Sequence, residues 1–435
     1  MKNMINQSYV GRGHEGGMST TAFTWYWSLL LNVWYLGYLV GTVATPFLND
    51  NLGRKTLLIA LFGNFLSVVA VIAGQPEVLM ISRIIASVSF GISFGSMIIF
   101  LQESSPTEQR GSTSFMCEST FVLTMAIGIF AGMEAVFGRN LPLLTGVALV
   151  PAVISILIIL PLKDTPKYLL INCGDRAAAM ESLVGILEGI KEVVFEGHLR
   201  MAFFMGVAAL QIIVGFWPVT YLSTDLLEAN FDSWTSQMAS LAFIMADFVA
   251  SMVGTAIIEK FNRRTLLLSV SVANTLCLVV YVAADLLIPF WPPSRWGQII
   301  ALILFGITYG IALGPIAFFI TSELVAQRSR AVVQSMVLGF NTILNFIFST
   351  ATLPLYTSFG AISFLFLLVL PSIICIVFLY FFLPETQGRE IHSVVEEMMR
   401  RYNKKRVTGV SSTDKQSSSA SIADTPGAAS SDTSA

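Results

Sequence analysis

The chain has 435 residues, 54% of them hydrophobic and 12% charged, with a mean hydropathy of +0.73. A soluble domain carries about 25% charged residues, so this composition describes a polytopic membrane protein and excludes a secreted or disordered class. The balance of 25 Lys and Arg against 27 Asp and Glu argues against bulk nucleic-acid binding.

Residues 1–24 are polar, with no apolar core, so they do not read as a signal peptide. They contain one glycosylation acceptor, Asn6-Gln7-Ser8, which predicts a glycan if this segment is extracellular; a chance triplet is the alternative. A membrane helix needs about 20 mostly apolar residues. Eleven runs qualify: 26–48, 56–76, 79–102, 113–135, 142–162, 201–224, 236–258, 266–288, 298–321, 331–352 and 361–383. They fall into a bundle of five spans over 25–162 and one of six over 201–383. Between them, 163–200 is polar, with a short amphipathic helix expected at Asp175–Ile190. Residues 384–435 form a tail. From about 407 it is rich in Ser and Thr, lacks aromatics, and is expected to be disordered.

With the N-terminus outside, 20 Lys and Arg fall in cytoplasmic loops and the tail, and four fall outside. That asymmetry sets the expected orientation, with a cytoplasmic C-terminus. Trp25, Trp27, Trp234, Trp291 and Trp296 all fall at outer span ends, as an interfacial belt should.

The two halves repeat. Asp50-x-x-Gly53-Arg54-Lys55 answers Glu259-x-x-Asn262-Arg263-Arg264, Glu103 and Arg110 answer Glu323 and Arg330, and Asp164 answers Glu385. Duplicated helical halves mark a secondary transporter, with its substrate near the midplane between them. Cys117, Cys173, Cys277 and Cys375 have no CxxC spacing, and His14, His198 and His392 lie outside apolar runs. No nucleophile–base pair, phosphate loop or metal cluster is present, so neither an enzyme nor a cofactor is expected.

Several motifs resemble those of the sugar porters of the major facilitator superfamily, most closely the animal facilitative hexose transporters. They are Asn51-Leu52-Gly53-Arg54-Lys55, Glu103-Ser104-Ser105-Pro106-Thr107-Glu108-Gln109-Arg110-Gly111, Lys163 to Asn172, and Pro384-Glu385-Thr386-Gln387-Gly388-Arg389. The resemblance runs from about residue 25 to 400. It implies an all-α membrane protein of the major facilitator fold, with two pseudo-symmetric helical bundles. It also implies alternating-access transport, in the plasma membrane, of a hexose or related polyol. The family has twelve spans and a cytoplasmic N-terminus. Here eleven are found, and the missing one is the first, which in the family lines the substrate cavity.

Ionisable groups inside a span are functional candidates by default. Arg83 and Asp285 lie near outer span ends, where structural roles are at least as plausible as functional ones. Glu118 and Asp247 lie deeper, as do Gln211, Asn341 and Asn345. The two Asn are four apart and share a helix face. Amides suit a polyhydroxylated solute, because each hydroxyl both donates and accepts. Interhelical hydrogen bonding is the alternative for any one of them; the group reads as a substrate site. The resemblance matches Gln211, Asn341 and Asn345 to the family's sugar-binding positions. It also shows the family's residues replaced at Ile212, Trp217, Asp247, Glu118, Gly310 and Phe318. Trp217 could stack on a sugar face, and Glu118 and Asp247 could equally attract a cation or carry a proton. The family's proton-coupled members use an Asp on the absent first span.

Glu103, Arg110, Glu323, Arg330, Arg54, Arg263 and Arg264 stand at inner span ends. The resemblance implies inter-helix salt bridges that hold an outward-open state, so loss of Arg330 is expected to favour the inward-open one; the alternative is topology alone. Gly37/Gly41, Gly91/Gly95, Gly128/Gly132 and Gly306/Gly310/Gly314, all spaced by four, read as packing seams. Gly314-Pro315 is expected to break its span, as a static kink or a moving gate. Two other readings stay open: a carrier of another small organic solute, cationic or proton-coupled, and a transport-inactive sensor or truncated isoform. The oligomeric state is not readable from the sequence.

Overall fold

The computed structural model describes residues 5, 8–10, 19–52, 56–104, 110–159, 191–258, 260–389 and 391–402, and among these it is helical with no strand. The first half comprises α1 (Thr20–Asn32), α2 (Trp34–Leu52), α3 (Thr56–Ile72), α4 (Pro76–Ser104), α5 (Arg110–Gly132), α6 (Leu141–Val147) and α7 (Leu149–Ile159). The second comprises α8 (Gly197–Ile213), α9 (Phe216–Leu227), α10 (Ser233–Ile257), α11 (Arg263–Leu287), α12 (Arg295–Thr308), α13 (Gly314–Leu324), α14 (Gln327–Phe359) and α15 (Leu370–Phe382). A final helix, α16 (Ile391–Tyr402), follows.

Helices stand at all eleven positions expected from apolar length. Among the described residues, six stretches are long and apolar enough to cross a membrane: Gly197–Leu227, Ser233–Ile257, Arg263–Leu287, Pro292–Leu324, Val332–Ile362 and Leu365–Phe382. Shorter apolar helices cover Phe62–Ile72, Glu118–Gly132 and Leu141–Ile154. Large apolar side chains face outward along them, among them Phe62, Ile72, Leu157, Phe366 and Ile374. Lipid rather than water suits such a surface.

Local chemistry sets several boundaries. Ser19 caps α1 by accepting from the Ala22 amide, and Asp232 caps α10 by accepting from the Thr235 amide. At Gly314-Pro315 the α-helical bonding of the span is interrupted, though the helix does not end there. It passes through a π-helical turn at Tyr309–Leu313 and continues as α13, with Pro315 in the first turn. Proline lacks the amide of an α-helical hydrogen bond and crowds the carbonyl four residues back, and a wider turn just before it relieves both problems.

The two largest packed contacts between the halves are these. α1 and α2 lie against α14, where the Ser28 hydroxyl donates to the Thr350 carbonyl at 2.7 Å. α5 lies against α10, where the Ser251 hydroxyl meets that of Ser119 at 2.9 Å. Within the first half, α2 and α4 approach closely because Gly37 and Gly41 have no side chain; a Cβ on either would strike backbone or side-chain atoms of α4. Gly306 is likewise pressed against Phe243. Gly128 and Gly132 are not a seam: they are exposed, with open space where a Cβ would stand. Spacing by four puts glycines on one face but does not say whether a helix covers that face.

Candidate functional site

The two inter-half contacts enclose a cavity of about 50 Å³. Its polar lining is Glu118 from α5 and Asn341, Thr342 and Asn345 from α14. Its apolar lining is aromatic: Trp34, Tyr35 and Tyr38 from α2, Phe90 and Phe94 from α4, Phe121 from α5, Trp217 from α9 and Phe318 from α13. The rings form a continuous wall. Trp34 stacks on Tyr38 at 5.2 Å, Phe90 on Phe94 at 5.6 Å, Phe94 meets Phe318 edge-on at 6.3 Å, and Phe121 meets Trp217 edge-on at 5.8 Å. One water needs about 10–15 Å³ on this scale, so the space holds a few waters and is contracted relative to a sugar.

Asn341 and Asn345 behave as one unit. The Asn345 amide donates to the Asn341 side-chain oxygen at 2.8 Å and to the Asn341 carbonyl at 3.1 Å. That leaves Asn341 Nδ2 and Asn345 Oδ1 buried without a hydrogen-bond partner. One unmatched donor beside one unmatched acceptor is the complement of a hydroxyl group. Buried polar groups are rarely left unpaired, and orphans mark either an absent partner or a functional position.

Of the seven residues expected at a substrate site, Glu118, Trp217, Phe318, Asn341 and Asn345 meet around this cavity. Gln211 and Asp247 do not line it. Gln211 is buried on α8, with Oε1 unpartnered. Asp247 is fully buried on α10, and both carboxyl oxygens are unpartnered. Gly310 passes directly over it, so that a Cβ there would strike the Asp247 carbonyl and Oδ1. The Tyr309 hydroxyl donates to Glu118 Oε1 at 3.3 Å, and Tyr309 stacks on Phe216 at 3.6 Å. Asp247 lies about midway along α10 but faces Gly310 and the Tyr309 turn rather than the cavity lining.

Of the aromatic wall, sequence reasoning named Trp217 and Phe318 and missed the rings of α2, α4 and α5. A signal was available, because Trp34/Tyr38 and Phe90/Phe94 are each four apart and so share a helix face.

At the opposite end of the second half, charges from three elements converge. Arg263, at the start of α11, pairs with Glu323 near the end of α13, and both side chains are about four-fifths buried. Thr386 donates to the second Glu323 oxygen at 2.7 Å. The Glu385 carboxylate accepts from the backbone amides of Arg263 at 3.0 Å and Arg264 at 3.2 Å. It thereby caps α11, whose own N-cap residue, Asn262, makes no side-chain cap. The Arg264 guanidinium donates to the Tyr380 carbonyl. The Glu323 partner seen here is thus Arg263, 60 residues back in sequence, while Arg330 stands in the first turn of α14. α16 docks beneath this cluster by burying Val394, Val395 and Met398. The Arg389 guanidinium, hydrogen-bonded to Glu397 at 2.6 Å, holds that carboxyl below the usual carboxylate range, and Arg401 adds to the effect.

The acceptor Asn6, Arg54, the 163–172 motif, the expected helix at 175–190 and the tail from 407 lie outside the described residues. So do the side chains of Glu103 and Arg110. Asp285 is explained structurally: its carboxylate accepts from Gln298 at 2.7 Å and from Asn230 at 3.2 Å, tying α11 to α12 and to the turn after α9.

The family described as "Sugar (and other) transporter" matches residues 3–398. The chain belongs to that family. This sugar-transporter family member is 26% identical over 424 residues to solute carrier family 2, facilitated glucose transporter member 7, of Mus musculus, covering 89% of this chain and 82% of that one. It is 24% identical over 401 residues to the glucose transporter GlcP of Staphylococcus epidermidis, covering 84% and 87%. Its fold matches a crystal structure of a D-xylose-proton symporter with a TM-score of 0.70 at 14% identity, over 89% of this chain and 93% of that one. The inward-open xylose transporter XylE from E. coli gives 0.68 at 15% identity, over 91% and 94%. The sugar-transporter family and the apolar helices together make this a multi-pass membrane protein of the major facilitator fold.

Proposed function

We propose that this chain carries a hexose or a related polyol across the membrane by alternating access, in the plasma membrane and with its C-terminus in the cytoplasm. The observation that carries this reading is the Asn341–Asn345 pair. It leaves one unmatched donor and one unmatched acceptor on two residues that line a cavity between the two halves. Aromatic rings around it, Trp217 and Phe318 among them, offer the apolar faces on which a sugar ring stacks. Glu118 adds a second acceptor for hydroxyls. Gln211 and Asp247, buried just outside, would serve the site only after helix movement. The glucose-transporter relatives support the substrate class, and the loop-by-loop excess of Lys and Arg supports the orientation. Arg263–Glu323, with Glu385 and Thr386, would latch the inner ends of α11 and α13 in one state and release them in the other. Glu103, Arg110, Arg54 and Arg330 would do the same for the remaining inner ends.

The test is uptake of labelled hexoses by proteoliposomes holding this chain, with Asn341→Ala beside it. Saturable uptake that is lost in Asn341→Ala supports the reading; no saturable uptake counts against it. The unmatched carboxyl of Asp247 favours a second reading, in which the solute is cationic or moves with a proton. Strong pH dependence that vanishes in Asp247→Asn would support it.

A further inference from the structure

Arg83 is a cation within a membrane span that no carboxylate meets among the described residues. Its guanidinium donates to the Leu31 carbonyl at 3.3 Å, and the Tyr221 phenol lies close enough for its charge to bear on it. A charge at this depth is costly unless paired. A snorkelling Arg would carry its head out to the water layer. This one donates to the Leu31 carbonyl at the end of α1 instead.

Its position follows from helix periodicity. Residues 83, 87, 90 and 94 form one stripe of α4, and Phe90 and Phe94 line the cavity. Tyr221 lies one turn beyond Trp217 on α9, with the two rings 6.2 Å apart. Ser349 lies one turn beyond Asn345 on α14, and Tyr35 is itself a lining residue on α2. Four helices, two from each half, therefore place Arg83, Tyr35, Tyr221 and Ser349 in a second layer next to the amide layer. The offset is four residues along α14, about 6 Å at 1.5 Å per residue. Two hydroxyls of this layer, those of Tyr35 (5% exposed) and Ser349 (1% exposed), are buried and face each other, with no further hydrogen-bond partner beyond that pairing.

We propose that Arg83, with the Tyr35 and Ser349 hydroxyls, forms an anion subsite continuous with the sugar cavity, and that the chain takes sugar acids whose ring hydroxyls meet Asn341 and Asn345 while the carboxylate meets Arg83. This rests on the carrier reading above and narrows its substrate class. One turn of helix between the layers matches the reach of a hexose ring from its hydroxyls to a carboxylate at its far end. Arg is suited to the task because its planar fork holds a carboxylate through two parallel hydrogen bonds. The hydroxyls supply further donors, which a carboxylate, an acceptor only, requires.

The experiment is equilibrium binding of D-glucuronate, D-glucose and acetate to the full chain in nanodiscs at neutral pH, in the native form and in Arg83→Gln and Arg83→Lys. Glucuronate is expected to bind about tenfold or more tightly than glucose. Arg83→Gln should level the two while leaving glucose binding in place, and Arg83→Lys should keep part of the preference. Glucuronate binding no tighter than glucose overturns the proposal, and so does an equal loss for both sugars in Arg83→Gln, which would mark a structural Arg. Acetate competing as well as glucuronate overturns the sugar-acid assignment in favour of a general small-anion site. If Arg83→Gln does not fold, the native ratio and Arg83→Lys decide. Glucose bound and carried without any glucuronate preference leaves the hexose carrier standing and removes only this inference; no binding of either sugar removes both.

Discussion

The Asn345 side-chain amide donates to the Asn341 side-chain oxygen at 2.8 Å, one helical turn away on α14. The bond fixes both amide orientations and leaves one donor and one acceptor unpaired on two residues that line the same cavity. A single Asn in this position could satisfy a neighbouring helix; a pair locked to each other has only a ligand or water left to satisfy.

Removing either amide therefore breaks two things: a contact to solute and the orientation of its neighbour. A neutral hydrogen bond contributes about 0.5–1.5 kcal/mol net, and 1.4 kcal/mol is about tenfold in affinity. Asn341→Ala and Asn345→Ala should each weaken hexose binding by about tenfold, and the double variant should lose little more than either single one. Titration of hexose binding checks this, and fully additive losses would show two independent amides.

Gly310 is held without a side chain by the backbone and carboxyl of Asp247. Gly310→Ala should force α10 and the Tyr309 turn apart, lowering stability by about 1–3 kcal/mol. Thermal unfolding in detergent reads it. Gly128→Ala, at an exposed position with open space, should leave the melting temperature unchanged or slightly raised.

Glu323 joins the Arg263 guanidinium to the Thr386 hydroxyl. Glu323→Gln removes the charge of one partner and leaves Arg263 in a largely enclosed place, at about 2 kcal/mol. The inner ends of α11 and α13 should separate more readily. Labelling of cysteines introduced in the cavity, from each side of the membrane, should shift toward the inner side; unchanged sidedness would rule out a latch.

Glu397 is held below the usual carboxylate range by Arg389 and Arg401. A lowered folded-state value means that the stabilisation is present above the ordinary Glu range and is lost as pH falls through the lowered value. Acidification should therefore undock α16, exposing Val394 and Met398 to proteolysis. Glu397→Gln should be cleaved as readily at neutral pH as the native chain is in acid.

Asn6 tests the orientation. If the N-terminal segment faces outward, glycosidase treatment of protein expressed in animal cells should shift its gel mobility, and Asn6→Gln should run at the shifted position without treatment. No shift in either case would place that segment on the other side.

Much of the architecture was readable before any coordinates. Eleven apolar runs became helices because each is long enough to bury its backbone polarity internally in lipid, and no tertiary partner can override that requirement. The Asn341–Asn345 unit was readable because both residues sit on one helix, where a spacing of four decides that they meet. The Arg263–Glu323 pair was half readable: its residues were singled out, but its pairing was not. The seam at Gly128/Gly132 failed for the reason that Asp247 left the cavity lining. Each depends on how a helix is rotated against a neighbour far away in sequence.

What the sequence determined, then, is everything set within one helix or by the bilayer: span positions, the charge asymmetry of the loops and the shared face of the two amides. What only the tertiary structure decided is which faces meet. Aromatic rings from five helices close around the amides, Glu385 reaches back about 120 residues to cap α11, and Arg83 arrives beside Tyr221 with no acid opposite it among the described residues. Side-chain packing between helices selects those rotations, and packing energy is spread over many small contacts that no local spacing encodes.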